Sequence, residues 1–331
     1  MKVADMHCDT IAEIYYAIRD GREGVTLGKS GLHVDLEKMI KGDYLLQNFA
    51  MFVHTRKHED PFAYCLKLID VFYNELETHK DKIALALNYN DILKNQEQGK
   101  MSAFLTIEDG AVTKGSLINL RTLYRLGVRL ITLTWNHENG IGYPNYILEQ
   151  GKVPDPHFVD TENGLTDFGM EFVMEMERLG MVIDVSHLSD AGFYQVLNHT
   201  KKPFTASHSN ARAKCNHNRN LTDDMIKQIA NRGGVIGVNY NPPFLNLDDI
   251  GKKDVGTISA IVDNMEYIAS VGGYECVGLG SDFDGIKGHK ELPDASALPL
   301  LEDAMKKRGM KQQEIEAIFY KNVLRLYKEV L

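Results

Sequence analysis

The chain lacks most of the features that would mark a specialised class of protein. Its four cysteines, Cys8, Cys65, Cys215 and Cys276, stand far apart and form no Cys-x-x-Cys pair. That spacing argues against a disulfide framework and for a reducing compartment. No apolar run approaches the roughly eighteen residues of a membrane span. The N-terminus shows no basic segment followed by an apolar one, so no secretory leader is expected. There is no low-complexity tract, no proline- or serine-rich linker and no short repeat. Basic residues fall in short groups, Lys252-Lys253 and Lys306-Lys307-Arg308, which read as solvated faces. With a formal net charge of -9 and no basic stripe, the chain is a poor fit to nucleic acid or to an anionic membrane surface. The expectation is a cytoplasmic protein without a membrane or nucleic-acid partner.

What is present is a regular alternation. The 331 residues, 44% hydrophobic and 25% charged, are enough to bury a sizeable core. Short β-branched runs at Val3–His7, Asn48–His54, Ala103–Ile107, Arg129–Thr134, Val182–Ser186, Phe204–Ser207, Gly234–Asn239 and Cys276–Ser281 read as strands. Between them lie stretches with apolar residues at three- and four-residue spacing, including Pro61–Glu77, Leu117–Leu126, Asp167–Leu179, Asp190–Leu197, Thr222–Ala230 and Ile258–Ser270. Thr166 and Thr222 sit where helices should be capped, and Gly180, Gly233 and Gly273 where they should stop. Eight strands alternating with helices predict an α/β fold, a (β/α)8 TIM-like barrel formed by residues 1–331 as one domain. The competing fold is an open doubly wound sheet. The first strand has no glycine-rich loop behind it, which counts against a dinucleotide-binding sheet. The long aperiodic segment Glu138–Asn163 reads as a lid or binding loop.

In such a barrel the carboxyl ends of the strands carry the active site. Here five of the eight expected strands end in a candidate ligand or acid: His7 and Asp9, Glu108, His187, His208, and Asp282. His7 and Asp9 are two apart, so on a strand both would face one side, with Cys8 turned into the core. Glu108 closes a strongly apolar run, where a carboxylate must be exposed at the mouth or paired. Asp109 alternates away and reads as structural. His187 and His208 each follow a serine on successive strands. Together these residues supply enough donors for two divalent ions bridged by one carboxylate and one water. Such ions would acidify the water and polarise a carbonyl. Asp282, nearer the strand end than Asp284, is the expected general acid/base. Arg219, in the loop after the sixth strand, would hold a carboxylate through a fork of two hydrogen bonds. Of the other histidines, only His54, ending the second strand, stands where it could join them.

The runs Asp5-Met-His-Cys-Asp-Thr10, Ile107-Glu-Asp-Gly110, Ile131-Thr-Leu-Thr134, Asp184-Val-Ser-His187, Ser207-His-Ser-Asn210, Arg219-Asn220 and Gly280-Ser-Asp-Phe-Asp-Gly285 follow one another along nearly the whole chain. As a set they resemble the membrane dipeptidase (renal dipeptidase-like) family. The resemblance implies a (β/α)8 barrel with two Zn2+, or other divalent ions. His7 and Asp9 would hold one, His187 and His208 the other, with Glu108 bridging. It implies that Arg219 holds the substrate's C-terminal carboxylate, and that Asp282 contacts the free amino group and relays a proton to the leaving amine. A dipeptide is the implied substrate, with its stereochemistry open, and a homodimer is implied at the level of the family alone. One position departs from the pattern: Trp135 stands where well-known members place a substrate-contacting histidine, and His137 follows two residues later. His137 is the expected substitute. The alternatives are a metal-dependent amidohydrolase acting on another small amide, lactam or ester, and a metal-binding protein without catalysis. Arg219 with Asp282 suits a zwitterion carrying both termini and favours the dipeptidase.

Overall fold

The computed structural model describes residues 1–147 and 154–331. Its strands are β1 (Val3–Asp5), β2 (Tyr44–Phe52), β3 (Ile83–Leu85), β4 (Met101–Glu108), β5 (Val128–Thr132), β6 (Val182–Asp184), β7 (Ile236–Val238) and β8 (Val277–Leu279). They form a parallel sheet in the order β6-β5-β4-β2-β1-β8-β7. The segment 204–207 joins its two ends. Asp184 bridges to Thr205 and Ala206 to Ile236. Backbone hydrogen bonds run from Val185 N to Thr205 O and from Gly237 N to Ala206 O. The expected barrel is therefore present, with 204–207 as its eighth stave, held by bridges rather than by a full ladder.

Two expectations on strands need correction. β3 was not anticipated; it pairs with Met101–Ala103 on the edge of β4 that β5 takes over from Leu105. Its three residues, Ile-Ala-Leu, are too few to show a period. β1 ends at Asp5, before His7. Asp9 instead takes the N-cap position of a helix, Thr10–Arg19.

The helices follow the sequence pattern closely. Thr166 accepts a hydrogen bond from Gly169 N and Thr222 from Met225 N, so both cap as expected. Gly180 ends its helix in the left-handed region at φ 74°, which favours glycine. Leu46, Phe104, Leu130, Val182 and Val235 pack in one cluster with Val323, Leu326, Tyr327 and Val330 of the C-terminal helix Asn322–Val330. Tyr327 stacks on Phe104 at 4.6 Å and its hydroxyl bonds to the Asn48 side chain. That helix closes one end of the barrel with apolar surface and leaves the other for polar groups. No helix among the described residues is long and apolar enough to cross a membrane.

Residues 148–153 of the expected lid lie outside the described residues. The rest of Glu138–Asn163 is fastened at Asn145, which accepts from Asp160 N and donates to Asp190 and to the backbone of Asn218.

Candidate active site

On β4, Phe104, Thr106 and Glu108 alternate onto one face, and period two carries Glu108 to the mouth of the barrel. There its carboxylate is split between neighbours. Oε2 lies 3.5 Å from His7 Nε2. Oε1 lies 3.0 Å from His187 Nε2 and 3.6 Å from His208 Nε2. His7 Nε2 is also 3.5 Å from Asp9 Oδ2 and 4.0 Å from Asp282 Oδ1. The structure thus brings together His7, Asp9, Glu108, His187, His208 and Asp282, as the sequence predicts. Asp9 reaches the cluster from a helix cap rather than from a strand.

The arrangement fits a bound cation on three grounds. His187 Nε2 and His208 Nε2 are 3.0 Å apart and converge on the same Glu108 oxygen. Buried His7 Nε2 and Asp9 Oδ1 have no hydrogen-bond partner among the described residues, although buried polar atoms rarely go unpaired. His7, Glu108 and His208, and again His7, Asp9 and Asp282, offer donor atoms within 4.8 Å of one another. The electrostatics agree. Burial pushes Asp9 up to about 7, with Glu108 adding to it. Burial likewise pushes Asp282 up to about 6. Burial acts to lower the His7 imidazole, but Glu108 and Asp9 prevail and carry it well above its ordinary value. Burial holds the rings of His187 and His208 neutral, at about 4 and about 3. Neutral imidazoles and crowded carboxylates form a donor set that divalent ions would neutralise.

Supporting groups to which the sequence assigned no role orient these donors. Asn136 Oδ1 lies 2.7 Å from His187 Nδ1, which leaves Nε2 free to face Glu108. His208 Nδ1 lies 2.7 Å from Ser207 Oγ, which donates to Asp184. Buried Asp184 also accepts from Thr132 Oγ1, Ser186 N and Ser207 N. Asp5 does the same across β1 and β8, accepting from His7 N, Ser281 N and Ser281 Oγ. The signal was an aspartate two or three residues before each of the candidate ligand histidines His7 and His187. Asn239 Nδ2 donates to Asp282 Oδ2 at 2.9 Å. Gly285 is required by space, because a Cβ there would overlap Asp9 Oδ2 and Asp282 Oδ1.

Asp284 is satisfied by Thr10 Oγ1, His33 N and Val34 N, so it ties loops together. Arg219 is 3% exposed. Its Nη2 donates to His208 O at 3.2 Å, while Nε has no partner among the described residues. Burial lowers its guanidinium to about 10, so it is still a cation at neutral pH. His137 sits against His54 and Thr55, just past β2. Its Nε2 lies 3.1 Å from Thr55 Oγ1 and 3.3 Å from Asp109 Oδ2, and its ring stacks on His54. Trp135 packs on Phe52 and His54 beside it.

Residues 1–331 match one family model, described as membrane dipeptidase, peptidase family M19. The chain belongs to that family. This M19 chain is accordingly a metallo-dipeptidase by family. It is 34% identical over 310 residues to a dipeptidase of Schizosaccharomyces pombe, covering 90% of this chain and 72% of that protein. It is also 34% identical over 270 residues to a protein encoded in the pqqA 5' region of Klebsiella pneumoniae, covering 79% of this chain and 97% of that protein. Among solved structures, an M19 dipeptidase superposes with a TM-score of 0.89 at 24% identity, covering 100% of this chain and 98% of that one. A metallopeptidase of Rhodobacter sphaeroides, liganded with a phosphinate mimic of L-Ala-D-Ala, superposes with a TM-score of 0.88 at 23% identity, covering 100% and 99%. These likenesses establish the M19 barrel.

Proposed function

We propose that the chain hydrolyses dipeptides at a two-metal centre. His7 and Asp9 would hold one ion and His187 and His208 the second, with Glu108 contributing to both. The observation that carries this reading is the split of the Glu108 carboxylate, with one oxygen toward His7 and the other toward His187 and His208. An imidazole–carboxylate donor set suits zinc, and ions bound there would supply an acidified water and a polarised carbonyl.

The protein's own groups do the rest. Arg219, a buried cation with an unpaired Nε, receives the C-terminal carboxylate of the substrate. Asp282 stands across the cluster, with Oδ2 held by Asn239 and Oδ1 4.0 Å from His7 Nε2. There it receives the free amino group and passes a proton to the leaving amine. The two charged termini select a dipeptide over a longer chain. The phosphinate mimic bound by the Rhodobacter protein supports acceptance of a D residue at the C-terminal position.

The test is a panel of L-X-L-X and L-X-D-X dipeptides with the enzyme as purified, stripped by chelator and restored with zinc. Elemental analysis and the Asp282→Asn variant run alongside. The expected result is metal-restored release of two amino acids, two ions per chain, and a variant that keeps both ions while losing most turnover. One ion per chain at full activity, or a fully active variant, would refute the corresponding assignment. Bound metal without hydrolysis of any dipeptide would point to another amide, lactam or ester.

A further inference from the structure

Beside the Asp282 face of the site lies a cleft of about 710 Å³, in the range of small-molecule pockets and larger than catalysis on a dipeptide backbone requires. It is walled by the loop after β7 and the loop after β8, with His33 packed on the latter. Gly285 belongs to its wall and is also the residue whose Cα abuts Asp9 and Asp282. The cleft and the catalytic cluster therefore share a boundary one glycine thick.

The loops are pinned to each other, so the cleft exists before any ligand arrives. Lys290 N donates to Val255 O at 2.8 Å, and Ile258 N donates to Glu291 Oε2 at 2.8 Å. Gly256 packs so close to the His289 ring that a Cβ would collide with it.

The lining is cationic in a chain whose net charge is -9. Lys252, Lys253, Lys287 and Lys290 stand on the walls against two acidic residues, Asp249 and Asp254. None of the four lysines forms an ion pair among the described residues, whereas Lys2, Lys29, Lys38, Lys80, Lys114, Lys306 and Lys321 do. Asp284, the neighbour of Gly285 in sequence, is already satisfied by Thr10, His33 and Val34.

We propose that this cleft receives the side chain of the N-terminal residue of the dipeptide and selects a carboxylate there, that of aspartate or glutamate. The inference rests on the reading of Asp282 as the contact for the free amino group. The N-terminal side chain leaves the same Cα as that amine, so a substrate anchored at Asp282 directs its side chain over Gly285 into the cleft. Unpaired lysines in a walled cleft concentrate and orient an anionic side chain, and they do so less as salt screens them.

The test measures kcat/KM for L-Glu-L-Ala against L-Gln-L-Ala, which differ in charge alone, and for L-Ala-L-Glu against L-Ala-L-Gln. The zinc-loaded wild type is compared with Lys287→Gln/Lys290→Gln and Lys252→Gln/Lys253→Gln. The expected result is a Glu/Gln preference of about tenfold at the N-terminal position, the scale of two or three exposed ion pairs acting together. It should fall toward one in at least one double variant and at high ionic strength, with no matching preference at the C-terminal position. A ratio near one in the wild type, a preference confined to the C-terminal position, or a ratio unchanged in both double variants would each overturn the inference while leaving the dipeptidase intact. Failure to hydrolyse any of the four dipeptides would overturn the underlying reading of the site, and this inference with it.

Discussion

Arg219 is the residue whose cost to the apo protein is plainest. A buried guanidinium with an unpaired Nε is expensive unless an anion completes it. The substrate carboxylate supplies that anion in the proposed complex. Arg219→Ala is therefore expected to raise KM for dipeptides by roughly 10- to 100-fold, the worth of a charge-assisted hydrogen-bonded pair. An analogue with an uncharged C-terminal amide should be nearly unaffected, and steady-state kinetics on the pair would check this. Equal losses on both would mean that Arg219 supports the loop and does not read the carboxylate. At this scale the sequence was legible where side-chain chemistry is scarce and follows a strand: His7, Asp9, Glu108, His187, His208 and Asp282 were singled out just past expected strands, and Arg219 in a loop beyond one. Asn136, Asn239 and Gly285 were not. Their work is done on atoms distant in sequence, and asparagine and glycine are common in any loop. His137 was singled out to replace a missing contact, and the fold engages it with Thr55 and Asp109.

Elements are held in register at the mouth of the barrel by two buried aspartates acting as cross-strand staples. Asp184 joins β5, β6 and segment 204–207 by accepting from Thr132, Ser186 and Ser207. Asp5 joins β1 to the end of β8 through Ser281. Segment 204–207 has only isolated bridges on either side, so the Asp184 staple carries more of its attachment than a ladder would. Asp184→Asn replaces an acceptor oxygen with a donor amide amid four donors. The expected cost is about 2 kcal/mol or more in unfolding free energy, from buried groups left unpaired. It should also bring a loss of roughly tenfold in metal affinity, because Ser207 then holds His208 less well. Chemical denaturation and competition with a chromophoric chelator would measure the two. A stable variant with unchanged affinity would show the staple to be redundant. Helix positions were legible because three- and four-residue spacing and threonine caps are local properties. β3 and the true end of β1 were not, because three-residue strands are chosen by their neighbours.

Across the whole molecule, folding gathers carboxylates and imidazoles from widely separated segments into one buried volume, and the loss of their hydration opposes the compact state, a cost that cations bound as proposed would offset. Ligands that bind only the folded state stabilise it by about 2.7 kcal/mol at 100 times Kd. Removing the ions should therefore lower Tm by about 5 °C or more for a chain of this size. Zinc should restore it, and a thermal melt with and without chelator reads the effect directly. An unchanged Tm would mean that the donors do not hold an ion in the folded enzyme. The sequence by itself determined the alternation of strand and helix, hence the barrel, and the placing of acids and histidines at strand ends. Period and order along the chain are enough for that. Only the tertiary structure decided the division of the Glu108 carboxylate between two histidine sets, the arrival of Asp9 from a helix cap, and the meeting of Lys252 and Lys253 with Lys287 and Lys290 around one cleft. Distances between atoms tens or hundreds of residues apart are set by how the sheet closes, and no local pattern encodes them.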